Sequence, residues 1–130
     1  MSGNVADTTR QRSAHFVAAL RRHDAAAACT VYADDARLLP PASQAVVGRD
    51  QIRAFWEAGL SSGMTDISFD PSHQRSDGAL ACEAGRYMLR FDPPDGSTVV
   101  ERGHYVHVHE RQNDGSWLRS VEIFTPGGQG

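Results

Sequence analysis

The second half of the chain alternates between apolar and polar residues with a period of two, and this pattern restricts the fold most strongly. Four alternating segments lie at about residues 64–72, 79–91, 98–110 and 117–125. They are separated by Ser76-Asp77-Gly78, Pro93-Pro94-Asp95-Gly96 and Asn113-Asp114-Gly115. Asp-Gly pairs between such segments favour tight hairpin turns, and a period of two is typical of strands with one buried face. The sequence therefore predicts an antiparallel meander of four strands.

The first third of the chain is predicted to be helical. Apolar residues keep a helical spacing from about residue 7 to residue 22. Asp24 is placed to cap a second helix over residues 25–32, whose alanine run has high helix propensity. The polar pair Asp34 and Asp35 is expected to end that helix and to lie in a solvated turn.

A short strand and a third helix complete the predicted elements. The strand covers residues 36–39 and ends at Pro40-Pro41, because proline cannot donate to a sheet ladder. The third helix, over residues 51–60, carries one apolar face formed by Ile52, Phe55, Trp56 and Leu60. Helices followed by a hairpin-connected sheet predict an α+β domain with its helices packed on one face of the sheet.

The chain has 130 residues, a length at which a single hydrophobic core is usual. We therefore expect one domain over residues 1–130. Its folded core is expected at about residues 8–125, between flexible termini at residues 1–7 and 126–130.

Charge and composition exclude several classes of function. All 13 basic residues are arginine, so Schiff-base chemistry, which needs a lysine amine, is excluded. The formal net charge of −3 disfavours a nucleic-acid or anionic membrane surface. No stretch approaches the roughly 20 apolar residues of a membrane span, and the N-terminus lacks an apolar signal core. We expect a soluble, cytoplasmic protein whose two cysteines, Cys29 and Cys82, are buried free thiols.

Several sequence segments resemble a known family. They are Tyr32-Ala33-Asp34-Asp35-Ala36, Gly48-Arg49-Asp50-Gln51-Ile52, Phe55-Trp56, Gly85-Arg86-Tyr87, Arg102-Gly103-His104-Tyr105 and Asp114-Gly115-Ser116-Trp117. In these segments and in the order of its predicted helices and strands, the chain over about residues 10–125 resembles the SnoaL-like branch of the nuclear transport factor 2-like superfamily. That superfamily includes ketosteroid isomerase and polyketide cyclases. The resemblance implies a cystatin-like cone, in which a curved sheet wraps around the helices. It also implies an apolar pocket at the open end and a homodimer formed through the sheet.

The resemblance allows the catalytic residues of ketosteroid isomerase to be compared with the matching positions of this chain. That chemistry needs a carboxylate base and two hydrogen-bond donors to an oxyanion. It places Phe16 where the isomerase has its oxyanion tyrosine and Pro40 where it has its base aspartate. The second acid falls near His104 or Tyr105, and only Tyr32 keeps its residue type. Phenylalanine cannot donate and proline cannot accept a proton, so the isomerase mechanism is not expected.

The strand around residue 105 carries the main polar cluster. Its alternation places Tyr105, His107 and His109 on one face and His104 on the other. If the first face lines the cone beside Tyr32, a near-neutral imidazole could act as general acid or base. Alternatively, this is a solvated or dimer-facing surface whose histidines only form hydrogen bonds. A His-x-His pair can ligate zinc, but the sequence offers no obvious third ligand, so no metal is expected.

Glu83 is the second candidate for chemistry. It shares a strand face with Gly85, Tyr87, Leu89 and Phe91. If that face is concave, Glu83 is a carboxylate in an apolar pocket and a candidate base. Alternatively, it is an edge-exposed glutamate paired with an arginine. The candidate catalytic residues are thus His107, Tyr105, Glu83 and Tyr32.

The sequence leaves three functions open. The first is a binding module that holds a small hydrophobic or aromatic molecule in the cone, without a cofactor. The second is a lyase, isomerase or cyclase that uses the catalytic candidates, and the third is a dimeric scaffold with a vestigial pocket. Eight residues are expected to line the ligand pocket: Phe16, Leu20, Tyr32, Phe55, Trp56, Leu60, Tyr87 and Phe124.

Overall fold

The structure, a computed structural model, describes residues 4–127 of the chain. Its helices are α1 (Val5–Arg21), α2 (Ala25–Ala28), which continues into a 3-10 turn at Cys29–Val31, and α3 (Arg49–Ser61). Its strands are β1 (Tyr32–Leu39), β2 (Val46–Val47), β3 (Met64–Asp77), β4 (Leu80–Phe91), β5 (Val99–Arg111) and β6 (Trp117–Pro126). The predicted α+β class, with helices first and the meander second, is confirmed.

The strands form a single sheet in the order β2-β1-β6-β5-β4-β3. The four predicted strands pair in sequence order as an antiparallel meander. β1 differs, because it pairs in parallel with β6 and antiparallel with the short β2. The sheet is therefore mixed: its four-stranded meander is antiparallel as predicted, and β1 adds a parallel pair that was not predicted. Local alternation does not reveal this parallel contact, which joins segments about 85 residues apart in the chain.

The start of α1 lies upstream of the predicted start. The Asn4 side chain accepts a hydrogen bond of 2.8 Å from the Asp7 backbone N–H, which is N-cap geometry. Residues 5–7, predicted to belong to a flexible terminus, therefore form the first turn of α1. At the other end of the chain Pro126 closes β6. Residues 1–3 and 128–130, also predicted to be flexible, lie outside the described residues.

The segment after α1 folds differently from the prediction in one respect. Asp24 caps α2 as predicted, by accepting a 2.9 Å bond from the Ala27 N–H. Asp34 and Asp35 do not end a helix, since they lie within β1 with both side chains exposed. A register shift of β1 against β6 accommodates this consecutive exposed pair. Asp34 forms an ion pair of 2.8 Å with Arg49 at the start of α3.

The helices and the inner face of the sheet enclose the core. The largest fully buried apolar and aromatic side chains are Phe16 of α1, Ile52 of α3, and Tyr32, Leu38, Met64, Ile67 and Tyr105 of the sheet. The Phe16 ring packs edge-on against Tyr32 and Trp56, with centroids 5.9 and 5.4 Å away. This packing of α1 on α3 and β1 fixes the helices over the sheet. In the described part of the chain, no helix has the length and hydropathy to cross a membrane.

Two glycines permit the curvature of the sheet. A Cβ at Gly85 of β4 would overlap the backbone of Asp70 and Pro71 in β3. A Cβ at Gly103 of β5 would overlap the backbone of Thr125 and its neighbour in β6. Such close approach of backbones is possible only at glycine, and it marks the places where adjacent strands bend over one another.

Replacement of Gly103 by alanine should therefore destabilise the fold. We expect Gly103→Ala to lower the free energy of unfolding by about 3 kcal/mol or more, because the added methyl group meets rigid backbone. Gly59→Ala is the control. A Cβ at Gly59 in α3 would lie 3.8 Å from the Met64 side chain, an ordinary contact, so this change should stabilise by about 0.5–1 kcal/mol. Urea denaturation measures both changes, and equal effects of the two substitutions would contradict the close approach.

Candidate functional site

Five polar residues meet in the closed interior between α1 and the sheet. We call Ser13, Tyr32, His107, Arg119 and Glu122 the interior cluster. Glu122 accepts hydrogen bonds from the Tyr32 hydroxyl, from His107 Nε2 at 2.7 Å and from Arg119 Nη1 at 3.4 Å. Arg119 Nη2 also donates to Ser13 Oγ at 3.2 Å. Except for Ser13, no side chain of the cluster is more than 1% exposed.

The interior cluster depends on a bulge in β6. Strict alternation would place Arg119 and Glu122 on opposite faces of the strand. In the sheet, however, Val108 pairs with Val121 and His109 pairs with Arg119, so Ser120 is an extra residue. This bulge turns both charged side chains inward. Arg119 and Glu122 were not among the site residues predicted from the sequence, because an alternation with a period of two does not predict the extra residue.

Arg119 and Glu122 each stabilise the charged form of the other in this buried cluster. Burial alone would raise the pKa of Glu122, but the charge of Arg119 and the hydrogen bonds from His107 and Tyr32 lower it to about 2. Burial also raises the pKa of the Tyr32 hydroxyl well above its usual range. The Arg119 guanidinium lies over the Phe16 and Tyr32 rings, 5.1 and 5.3 Å from their centroids. The cluster is thus an ion pair solvated by a phenol, an imidazole and aromatic faces.

The strand face assigned by alternation is confirmed for β5. Tyr105, His107 and His109 point inward and are at most 2% exposed, whereas His104 is exposed on the opposite face. The surface-exposed alternative for the first three residues is therefore excluded. Burial and the nearby Arg119 charge lower the pKa of both inward histidines, that of His109 to about 3. Both imidazoles are held neutral.

Glu83 also points inward and is 3% exposed. Its two carboxylate oxygens accept hydrogen bonds from the Tyr105 hydroxyl at 2.6 Å and from the Gln74 amide at 3.0 Å. The edge-exposed alternative, in which Glu83 pairs with an arginine, is wrong. The two catalytic candidates Glu83 and Tyr105 form one hydrogen-bonded unit, and the other two, Tyr32 and His107, share Glu122.

An apolar cavity of about 370 Å³ lies at one end of the molecule, beside the interior cluster. We call it the mouth pocket. It lies between α3, the loop after β1 and the ends of the long strands, and its wall includes Pro40, Phe55, Trp56, Glu101 and Phe124. Trp56 Nε1 donates to the Tyr32 hydroxyl at 3.1 Å. One indole thus joins the mouth pocket to the interior cluster.

Glu101 contributes a carboxylate to the wall of the mouth pocket, and it was not among the site residues predicted from the sequence. Its carboxylate accepts a 2.7 Å hydrogen bond from the Tyr87 hydroxyl. Burial and this carboxylate raise the pKa of Tyr87, which keeps the phenol protonated. The available signal was the same alternation used for Tyr105 and His107, since Glu101 lies on their face of β5.

The predicted ligand-binding residues divide into two groups. Phe55, Trp56 and Phe124 line the mouth pocket, and Tyr87 contacts Glu101 at its wall. The others belong to the packed core: Phe16, Leu20 and Tyr32 are at most 2% exposed, and Leu60 packs half-buried against them. Ligand binding by either group stays a prediction, as does catalysis by His107, Tyr105, Glu83 and Tyr32.

The two cysteines differ in their surroundings. Cys29 is buried, and burial raises the pKa of its thiol to about 12. Cys82 is exposed, which corrects the prediction that both thiols are buried. It lies between the inward-facing Ala81 and Glu83 of β4 and therefore points outward. Within residues 4–127, no group of three or more His, Cys, Asp or Glu side chains could hold a metal ion.

Comparison with known proteins adds the family context. The sequence profile of the SnoaL-like domain matches residues 14–120. A ketosteroid isomerase-like protein from Erwinia carotovora atroseptica superposes with a TM-score of 0.81 at 15% identity, over 94% of this chain and 95% of that one. An NTF2-like protein with a cystatin-like fold from Novosphingobium aromaticivorans gives 0.80 at 14% identity, over 96% and 83%.

A conserved protein from Planctomyces limnophilus superposes with a TM-score of 0.83 at 18% identity, over 95% of this chain and 100% of that one. No curated protein matches the chain. At these identities the solved structures establish a shared fold alone, and the expected cystatin-like cone is confirmed.

The buried histidines predict an acid-sensitive fold. The pKa of His109 falls from 6.5 to about 3 on folding, so between these values the unfolded chain takes up a proton that the folded chain does not. Stability should therefore fall with decreasing pH below about 6.5, by up to about 1.4 kcal/mol per pH unit from this residue. We expect His109→Phe to reduce that slope in urea denaturation between about pH 7 and pH 4. The exposed-face control His104→Phe should keep the wild-type slope, and parallel curves for all three proteins would contradict the assignment.

Proposed function

The chain belongs to the SnoaL-like domain family, and from this premise we propose that it binds a small apolar or aromatic molecule in the mouth pocket. The observation that carries the proposal is the cavity of about 370 Å³ with its mainly apolar wall. This volume lies within the range of small-molecule sites, which typically combine apolar walls with a few placed polar groups. The family resemblance, which implies an apolar ligand pocket, supports the proposal.

The wall of the mouth pocket favours a flat ligand with one hydrogen-bond donor. Trp56 and Phe124 lie nearly parallel, with an interplanar angle of 23° and centroids 6.3 Å apart, and Phe55 packs edge-on against Trp56. These rings supply apolar area at little cost in side-chain entropy. Glu101 retains acceptor capacity beyond its bond to Tyr87. A hydroxyl group on the ligand would therefore be oriented by Glu101.

Acid–base catalysis by an isomerase, lyase or cyclase is the second candidate function. It is favoured by Glu101 at the wall of the mouth pocket and by the protonated Tyr87 that donates to it from behind, a carboxylate acceptor beside a neutral donor. The interior cluster supports it less, because Tyr32 and His107 are fully buried. Glu101→Gln distinguishes the two functions. If the variant binds a ligand with unchanged affinity but no longer converts it, the result would favour the enzyme over the binding module.

Binding in the mouth pocket can be tested with 2-naphthol and naphthalene as probes. We expect 2-naphthol to shift the indole N–H resonance of Trp56, which lines the pocket, and to leave that of Trp117 unchanged. Ala58 lies on the pocket wall and is exposed, so Ala58→Leu should fill space without disturbing the core and weaken binding at least about tenfold. Glu101→Gln should weaken binding of 2-naphthol but not of naphthalene.

The matched control for this experiment is Ala14→Leu, an exposed alanine of α1 outside the mouth pocket. It should leave binding of both probes unchanged. Equal affinities of Ala58→Leu and the wild type, or a shift of the Trp117 resonance alone, would overturn the assignment of the probe to this pocket.

We also propose that the chain forms a homodimer through the outer face of the sheet. On this face Leu80 and Val106 are 53% and 38% exposed, and Val108 and Ile123 are half-buried beside them. Contiguous apolar surface of this kind is typical of a protein–protein interface. A second copy is favoured because the family resemblance implies a dimer through this sheet.

Disruption of the outer face should dissociate the dimer. We expect Val106→Arg to give a monomer in size-exclusion chromatography with light scattering, because two arginines would face each other across a twofold interface. Val47→Arg is the control, since Val47 in β2 is similarly exposed at 40% but lies at the sheet edge. A monomeric wild type would contradict the proposal, as would a Val106→Arg variant that remains dimeric.

A further inference from the structure

A second cavity opens on the side of the molecule, between α1 and β3. We call it the lateral groove. It has a volume of about 290 Å³ and shares no wall residue with the mouth pocket. Small and apolar side chains, Ala14, Val17 and Ala18 of α1 with Phe69 and Pro71 of β3, form most of its wall, and Glu83 reaches it from β4. The lateral groove therefore combines an apolar wall with one buried carboxylate.

The Glu83 carboxylate has no cationic partner. Within residues 4–127, no arginine or histidine nitrogen lies within 4.0 Å of it. Its hydrogen-bond partners, Tyr105 and Gln74, are both neutral. A carboxylate can accept about four hydrogen bonds, so each oxygen keeps a free acceptor position. Burial of a carboxylate without a compensating charge is unfavourable, and a cationic ligand would supply that charge.

The charges around Glu83 reinforce this argument. Arg119 and Glu122 neutralise each other, and burial keeps His107 and His109 neutral. With Glu83 counted as a carboxylate, the interior carries a formal charge of −1, placed at the wall of the lateral groove.

The cations at the rim of the groove do not cancel this charge. Arg10 and Arg21 lie there, and each is paired with a carboxylate of its own, Asp7 at 2.9 Å and Asp66 at 2.7 Å. These pairs are largely exposed and screened by water. They leave the carboxylate at the base of the groove without a cationic group within 4.0 Å.

We propose that the lateral groove binds a small primary amine, with its ammonium group on Glu83 and its apolar body between α1 and the Phe69 and Pro71 side chains. An ammonium group has three donors and no acceptor. Two of these donors can bond to the two free acceptor positions of Glu83. An anionic ligand is disfavoured by the carboxylate. A neutral alcohol of the same shape forms the weaker, uncharged hydrogen bond.

The experiment compares benzylamine with benzyl alcohol in NMR titrations of the full chain. We expect benzylamine to shift the resonances of Val17 and Phe69 saturably and to bind more tightly than benzyl alcohol. Glu83→Gln retains the shape of the side chain and one acceptor oxygen, but it replaces the other oxygen by an amide donor and removes the charge. It should weaken benzylamine binding at least about tenfold and bring its affinity to that of benzyl alcohol.

Two Ala→Leu variants separate this site from the mouth pocket and do not depend on any change at Glu83. Ala14→Leu, in the wall of the lateral groove, should abolish the benzylamine shifts, and Ala58→Leu, in the wall of the mouth pocket, should leave them unchanged. The proposal is overturned by no saturable shift at Val17 and Phe69, by equal affinity of the wild type and Glu83→Gln, or by sensitivity to Ala58→Leu alone.

Discussion

The ion pair between Arg119 and Glu122 holds the interior of this fold together. Burial of two charges is costly, and the cost is offset only when the geometry is good and the remaining donors and acceptors are satisfied. Here three elements besides β6 supply partners, while within residues 4–127 Arg119 Nε and His107 Nδ1 have no hydrogen-bond partner. Ser13 of α1 binds Arg119, while Tyr32 of β1 and His107 of β5 bind Glu122. Because α1, β1 and β5 each contribute one group that binds this pair in β6, the positions of the four elements are fixed relative to one another.

This pair also determines where a ligand can bind. A cone lined only by apolar side chains would offer one deep pocket, but here the centre is filled by charged and aromatic groups. Open space remains at the mouth, where Trp56 separates it from the interior cluster, and along the side, between α1 and β3. The two cavities differ in chemistry, because aromatic rings dominate the wall of the first and a buried carboxylate lies at the second. One small fold therefore contains two cavities of distinct chemistry.

The sequence predicted what depends on local periodicity and missed what depends on irregularity. Alternation correctly grouped Tyr105 and His107 on one face, because the β5 side chains alternate regularly up to Val108, but it left open which face is the inner one. The same rule failed for Glu122, since one extra residue in β6 reverses the parity between it and Arg119. A bulge of this kind is stabilised by the tertiary contacts it creates, here the buried ion pair. The local alternation of apolar and polar residues does not predict such contacts. The parallel pairing of β1 with β6 escaped prediction for the same reason.

The position of the Phe69 ring limits access to the His107 imidazole. Its ring lies 4.9 Å from both Tyr105 and His107, measured between centroids, and it also forms part of the lateral groove wall. Glu83, Tyr105 and His107 thus lie on the groove side of the interior, and Phe69 separates the His107 imidazole from the groove. Any reaction at His107 would need this ring to rotate, because the imidazole is fully buried and its Nε2 is engaged by Glu122. A substrate for such chemistry would therefore approach through the lateral groove, whereas ligands of the mouth pocket would contact Glu101 instead.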